Sequence, residues 1–199
     1  DDLILVPDFV SNHVKHHELH DHCIVLGEVR NLFISKPEHY FQTWLNNCIN
    51  KELYLSFIEV LEKKSKPHPY FSLTRLPFLN SNFIPWIGFG TNNASVRKEH
   101  IAKINGFEES YKGWGYDNIE LGLKLYKMGL HFYYEPEALN YHLSHPRNKS
   151  DHLKELTANF ELFRLRNPGK QTELYWEFIT GKLSIEKFND IVSGSVSDF

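Results

Sequence analysis

The feature that most limits what this chain can fold into is an alternation of short apolar runs with longer segments of helical spacing. Leu3–Val6 is closed by Pro7, Cys23–Gly27 is a second run, and Leu130–Tyr134 and Ala138–His142 follow later. Apolar runs this short, bounded by turn residues, read as buried strands. Between them, Asp8 caps a helix through Phe9, Val10, His13 and Val14, and residues 37–64 place Phe41, Trp44, Leu45, Cys48, Leu53, Phe57, Ile58 and Leu61 at helical intervals. Val96–Ile104 reads as a short helix stopped at Gly106, and Asp117–Met128 as a stronger one stopped at Gly129. Strands alternating with helices predict an α/β fold.

Lys63–Pro69 is polar and reads as a loop, and residues 70–90 mix aromatics, Pro and Gly without a period, as irregular structure around a site would. Residues 151–199 read as helical, with Leu153, Leu156, Phe160 and Phe163 in register, a break at Asn167-Pro168-Gly169, and a second stretch over 172–192. The expected division is therefore 1–149 for the α/β part and 150–199 for a helical C-terminal extension. Length sets the scale: 199 residues suffice for one domain with a sizeable core and an appendage.

Composition excludes several function classes. A net charge of −3 without a clustered basic face argues against nucleic-acid binding. No apolar run approaches the ~20 residues needed to span a bilayer. Cys23 and Cys48 offer no disulfide framework, so a reducing, cytoplasmic location is expected, with a membrane surface as one candidate partner for residues 150–199. The chain opens on Asp1-Asp2 and enters a strand-like run at once, which reads as a cut inside a domain. The aromatic fraction, 15%, is high; most such rings fill cores, and some form floors on which sugar rings stack.

Four segments carry possible chemistry. Asp1-Asp2 reads as lying at the exit of an apolar strand, where α/β sheets bind ligands, and carboxylate oxygens suit a hard divalent cation. Gly88 through Arg97 combines glycines that permit close backbone approach with neutral hydrogen-bonding groups; Gly90, Asn92 and Asn93 are its candidate substrate contacts. Gly113-Trp114-Gly115-Tyr116-Asp117-Asn118-Ile119-Glu120 sets an indole between glycines ahead of a helix. Asp117 and Glu120 fall in its first turn, where the helix dipole favours carboxylates, and Glu120 is a further candidate substrate contact. Last comes His142, after a strand, a metal ligand if a carboxylate faces it.

In that order the segments resemble the family 2 glycosyltransferases and the galactosyltransferase C-terminal domain. That pattern is an Asp-x-Asp after a strand, Gly-x-Asn-x-Ser, Gly-Phe-Asp-Glu, Gly-Trp-Gly-x-Glu-Asp-x-Glu-Leu and a late His. Here those read Asp1-Asp2, Thr91 through Arg97, Gly106-Phe107-Glu108-Glu109, Gly113 through Gly122 and His142. The resemblance covers roughly residues 1–145, and nothing from 150 onward.

It implies the C-terminal part of a GT-A (nucleotide-diphospho-sugar transferase) fold, a nucleotide-sugar donor carrying uridine diphosphate, a glycan or other hydroxyl acceptor, and Mn²⁺ or Mg²⁺. Asp2 and His142 would hold the metal, with Trp114 and Gly115 bordering donor sugar and acceptor. The family's amino-terminal, nucleotide-binding half would lie in a longer chain. One departure matters. Inverting relatives carry Glu-Asp with the Asp as general base, whereas this chain has Asp117-Asn118. An amide cannot take a proton from the acceptor hydroxyl, so Asp117 is the expected base within the catalytic pair Asp117 and Asn118. The polypeptide N-acetylgalactosaminyltransferases, with Trp-Gly-Gly-Glu-Asn, look similar here and retain configuration. The rival expectation is a saccharide-binding module on a scaffold that no longer catalyses.

Overall fold

The computed structural model describes residues 2–33, 37–47, 50–67, 84–144 and 149–193. The expectations for Asp1, Cys48, residues 68–83 and residues 194–199 lie outside them.

The centre is a five-stranded mixed sheet. Strand β1 (Leu3–Leu5) runs antiparallel to β5 (His131–Leu143), which runs parallel to β2 (Cys23–Leu32). The far side of β2 pairs antiparallel with both β3 (Lys66–Pro67) and β4 (Ala94–Val96). β2 is buried along nearly its whole length, as a strand with neighbours on both sides and both faces covered must be, and Cys23–Leu26 form an unbroken apolar run within it. It is longer than the expected Cys23–Gly27. Past Gly27 it carries Glu28, Arg30 and Asn31, whose polarity hides a strand from a reading based on apolar runs.

The two runs expected at 130–134 and 138–142 are one strand. Its pairing with β2 slips at Gly27/Glu28, where Gly27 pairs with Glu135 and Glu28 with Leu139. Residues 136–138 are the excess, and Pro136, with no N–H to give the ladder, sits where the pairing breaks. Val96, expected to start a helix, instead ends β4, and the helix α4 is Lys98–Lys103.

Helix α1 (Phe9–Leu19) packs on β2 and β5, while α2 (Pro37–Asn47) and α3 (Lys51–Lys64) form a pair. Asn50 starts α3 by accepting from the N–H groups of Glu52 and Leu53, and Phe57 and Leu61 carry that helix onto a small core with Ile4, Leu32, Tyr141 and Leu143. The larger core lies under α5 (Asp117–Lys127).

The carboxyl-terminal helices α6 (Lys149–Arg166), α7 (Lys170–Ile179) and α8 (Ile185–Ser193) belong to that same core. Phe163, Tyr175 and Phe188 are fully buried with Trp86, Phe89 and Leu125. Trp86 lies 5.3 Å from Tyr175, and Tyr116 lies 5.2 Å from Phe163. Residues 150–193 are thus packed into the body of the fold, not appended to it. The expected stretch over 172–192 is two helices, with a turn at Gly181 (φ +76°) between them.

Candidate active site

The parallel strands β2 and β5 end at the same edge of the sheet, and β1 begins there. His142 pairs in register with Leu3 on one side and Asn31 on the other, and the Leu143 N–H donates to the Asp2 carbonyl (2.8 Å). Backbone pairing alone therefore brings Asp2, Asn31 and His142 together at the carboxyl end of the strands, where α/β sheets bind ligands. His142 Nδ1 faces Asn31 Oδ1 at 2.9 Å, and Nε2 faces Asp2 Oδ2 at 3.2 Å. With Nδ1–H donating to Asn31, the Nε2 lone pair of a neutral ring points at a carboxylate oxygen. A positive centre stabilises that pairing, either a proton on Nε2 or a cation taken up between the two groups.

Across a cleft of about 730 Å³ stands the segment 113–119. Gly113 (φ +71°), Gly115 (φ +104°) and the non-glycine Tyr116 (φ +71°) hold left-handed backbone, which turns the chain sharply before α5. The turn lifts Trp114 out of the core; its side chain is 44% exposed, and the His152 ring lies over it at 4.0 Å. Tyr116 goes inward and Asp117 opens α5. Thr91 Oγ1 donates to Asn118 Oδ1 (2.7 Å), tying the 91–93 turn to the helix start. The cleft walls thus bring together Asp2, Asn92, Trp114, Gly115, Asp117, Asn118 and His142.

Three expected substrate contacts lie elsewhere. Glu120 is 2% exposed: Arg166 Nε lies 3.1 Å from its carboxylate and Lys124 Nζ 3.4 Å, and the Tyr111 hydroxyl donates to it. Sixty degrees further round α5 than Asp117, it turns toward α6, so its charge joins two helices. Burial, and then that hydrogen bond, raise the Tyr111 hydroxyl above its ordinary value. Arg166 also pairs with Glu108, whose carboxyl is held below the usual range chiefly by its hydrogen bonds from Ser110. Asn93 is buried; its amide donates to the carbonyls of Glu28 and Ala138 (both 2.8 Å), and its Oδ1 meets His13 Nε2 at 2.9 Å. Gly90 is buried behind it. Both anchor the turn that presents Thr91 and Asn92, and neither faces the cleft.

Other cleft residues escaped the sequence reading. Asn31 lies in the polar half of β2, beyond the apolar run that marks the strand. His152, Leu156, Tyr175 and Ile179 form the wall from α6 and α7, and nothing local marks them, because their helices look like ordinary core helices. Among the described residues no group of three or more His, Cys, Asp or Glu side chains converges on one point. Asp2 and His142 are a pair, and Asp1 lies outside the described residues. Also among the described residues, no helix is long and apolar enough to cross a membrane.

Comparison with known proteins bears on the same stretch. Residues 84–147, which include the Trp114 turn, α5 and β5, match the family model described as the N-terminal domain of galactosyltransferase. These similarities support a GT-A-like glycosyltransferase domain. It is 30% identical over 115 residues to validoxylamine A glucosyltransferase of Streptomyces hygroscopicus subsp. jinggangensis, which covers 54% of this chain and 27% of that protein. It is 24% identical over 176 residues to the uncharacterised glycosyltransferase YfnE of Bacillus subtilis, covering 74% of this chain and 43% of that one. The chain spans less than half the length of these relatives. The mixed sheet with flanking helices is the architecture expected of a GT-A-like glycosyltransferase domain.

Proposed function

We propose that this glycosyltransferase domain moves a hexose or N-acetylhexosamine from a uridine diphosphate sugar to a hydroxyl group of a glycan or similar acceptor, with Mn²⁺ or Mg²⁺. The observation that supports this is one cleft with the Asp2–His142 pair on one side and the Trp114–Asp117 turn on the other. One relative bears the name glucosyltransferase, which makes glucose the first donor sugar to try.

The donor set fits a divalent cation. Asp2 Oδ2 and His142 Nε2 stand 3.2 Å apart, near enough that both would hold one divalent cation. Asn31 fixes the imidazole orientation and leaves Nε2 as the ligand atom, the supporting role that metal-bound histidines require. A bound cation would neutralise charge on the departing diphosphate, the largest that develops in the reaction.

The chain's own residues do the rest. Trp114 offers an indole face for the sugar, and Asp117 accepts the proton of the acceptor hydroxyl. The oxygen–C1 bond to the acceptor forms as the C1–oxygen bond to the diphosphate breaks. Asn118, held by Thr91, is a neutral hydrogen-bonding group beside the base.

Titrating the intact protein with uridine diphosphate glucose, with and without Mn²⁺, tests the reading. Metal-dependent binding with slow hydrolysis of the sugar nucleotide supports it. Saccharide binding that ignores metal and nucleotide supports a non-catalytic module instead, the alternative that Asn118 in place of an acid brings forward.

A further inference from the structure

Helix α6 lies outside the sequence resemblance, yet it holds the turn on which the proposed chemistry depends. Asn159, 4% exposed, donates from its amide to the carbonyls of Lys112 (3.0 Å), Trp114 (3.1 Å) and Gly115 (3.1 Å), and its Oδ1 accepts from the Lys112 N–H (3.4 Å). One turn earlier on the helix, Glu155 Oε2 accepts from the Trp114 N–H (2.9 Å). The fit is close: a Cβ on Gly113 would stand 2.4 Å from the Glu155 carboxyl carbon.

Left-handed backbone at Gly113, Gly115 and Tyr116 is not a conformation the segment keeps unaided. A non-glycine residue there is strained, and such outliers persist where their surroundings over-determine them. Asn159 and Glu155 satisfy the backbone groups that this turn withdraws from regular structure. Asn159 sits at the buried position of the helical stripe Leu156, Asn159, Phe160, Phe163, where packing alone would favour an apolar residue.

We infer that Asn159 is a positioning residue: through Glu155 and its own amide, α6 sets the Trp114 turn and the start of α5 in their transfer-competent geometry. The inference rests on the cleft being a sugar-transfer site, so its test has one arm that needs no activity. Asn159→Ala and Asn159→Asp are compared with Asn167→Ala in the intact protein. Asn159→Asp keeps the shape and, ionised, removes both donors. Asn167, also buried on this stretch, bonds only within its own turn to the Phe163 carbonyl and serves as the stability control.

The first readout is amide hydrogen exchange over residues 112–116, well below the melting temperature. Both Asn159 variants should speed it at least ~10-fold, the factor that 1.4 kcal/mol of lost local stability gives, with Asn167→Ala leaving it unchanged. The second is hydrolysis of uridine diphosphate glucose with Mn²⁺: kcat should fall at least ~10-fold while the affinity for uridine diphosphate with Mn²⁺ holds, since that group is assigned to the Asp2 side. Unchanged exchange over 112–116 in both Asn159 variants, or an equal rise in Asn167→Ala, overturns the inference. Faster exchange in a protein that binds no sugar nucleotide keeps the clamp and removes the transferase reading.

Discussion

Gly27→Ala is the substitution whose cost the structure fixes most tightly. A Cβ built at Gly27 would lie 2.1 Å from the Ala138 carbonyl oxygen and 2.3 and 2.5 Å from the side-chain oxygen and nitrogen of Asn93. Neither neighbour can yield easily. Ala138 is fully buried backbone at the slip in β5, and Asn93 is bonded to Glu28, Ala138 and His13. Forcing a methyl into a packed site costs about 1–3 kcal/mol. Displacing Asn93 strands buried carbonyls at about another 1–3 kcal/mol. Alanine recovers about 0.5–1 kcal/mol of the backbone entropy that glycine loses in a strand. The net expectation is a loss of roughly 1–5 kcal/mol, or about 2–20 °C in Tm for a chain of this length. Urea and thermal denaturation of the two proteins read it. Because Asn93 anchors the turn bearing Thr91 and Asn92, binding of uridine diphosphate glucose should weaken as well. A loss under about 1 kcal/mol with unchanged binding would refute both the packing argument and the anchoring role of Asn93.

Two further outcomes follow from the site and its support. Asp117→Asn should lower turnover at least ~100-fold, the range for a lost general base, with nucleotide affinity retained; unchanged turnover removes Asp117 from that role. His13, buried with Nε2 on Asn93 and Nδ1 on Ser95, has its pKa lowered, by burial first, while Asn93 and Glu135 oppose the shift and His16 adds to it. Its folded pKa lies below the unfolded value of about 6.5, so the unfolded chain binds more protons and stability is lost as pH falls below that value. Stability should therefore be lower at pH 5.5 than at pH 7.5, and His13→Gln should flatten that difference in urea titrations at the two pH values. A wild-type profile as flat as the variant's contradicts the assignment.

How much of this was legible in the residues follows from what leaves a local trace. The α/β class, the helix at 117–127 and the exposed tryptophan before it were readable, because apolar runs, helix stops and flanking glycines are local signals. That Asp2 and His142 would meet was implied by family resemblance and is realised by strand pairing 140 residues apart in sequence. Register of that kind is not visible in either segment alone. Glu120 and Asn93 went astray for one reason: spacing places a polar residue near a site but does not say which neighbour claims it. Arg166 claims Glu120 from 46 residues away, and two buried carbonyls claim Asn93. The helices beyond residue 149 looked detachable because their apolar stripes are ordinary, yet those stripes pack on Trp86 and Tyr116, and their polar positions hold the Trp114 turn.

The most direct measurement is the position of Mn²⁺ in crystals of the intact protein soaked with Mn²⁺ and uridine diphosphate, located by anomalous scattering. The account predicts one peak within about 2.3 Å of both Asp2 Oδ2 and His142 Nε2, with the diphosphate extending toward Trp114. A peak away from that pair, or a nucleotide bound with the pair still joined directly, contradicts it.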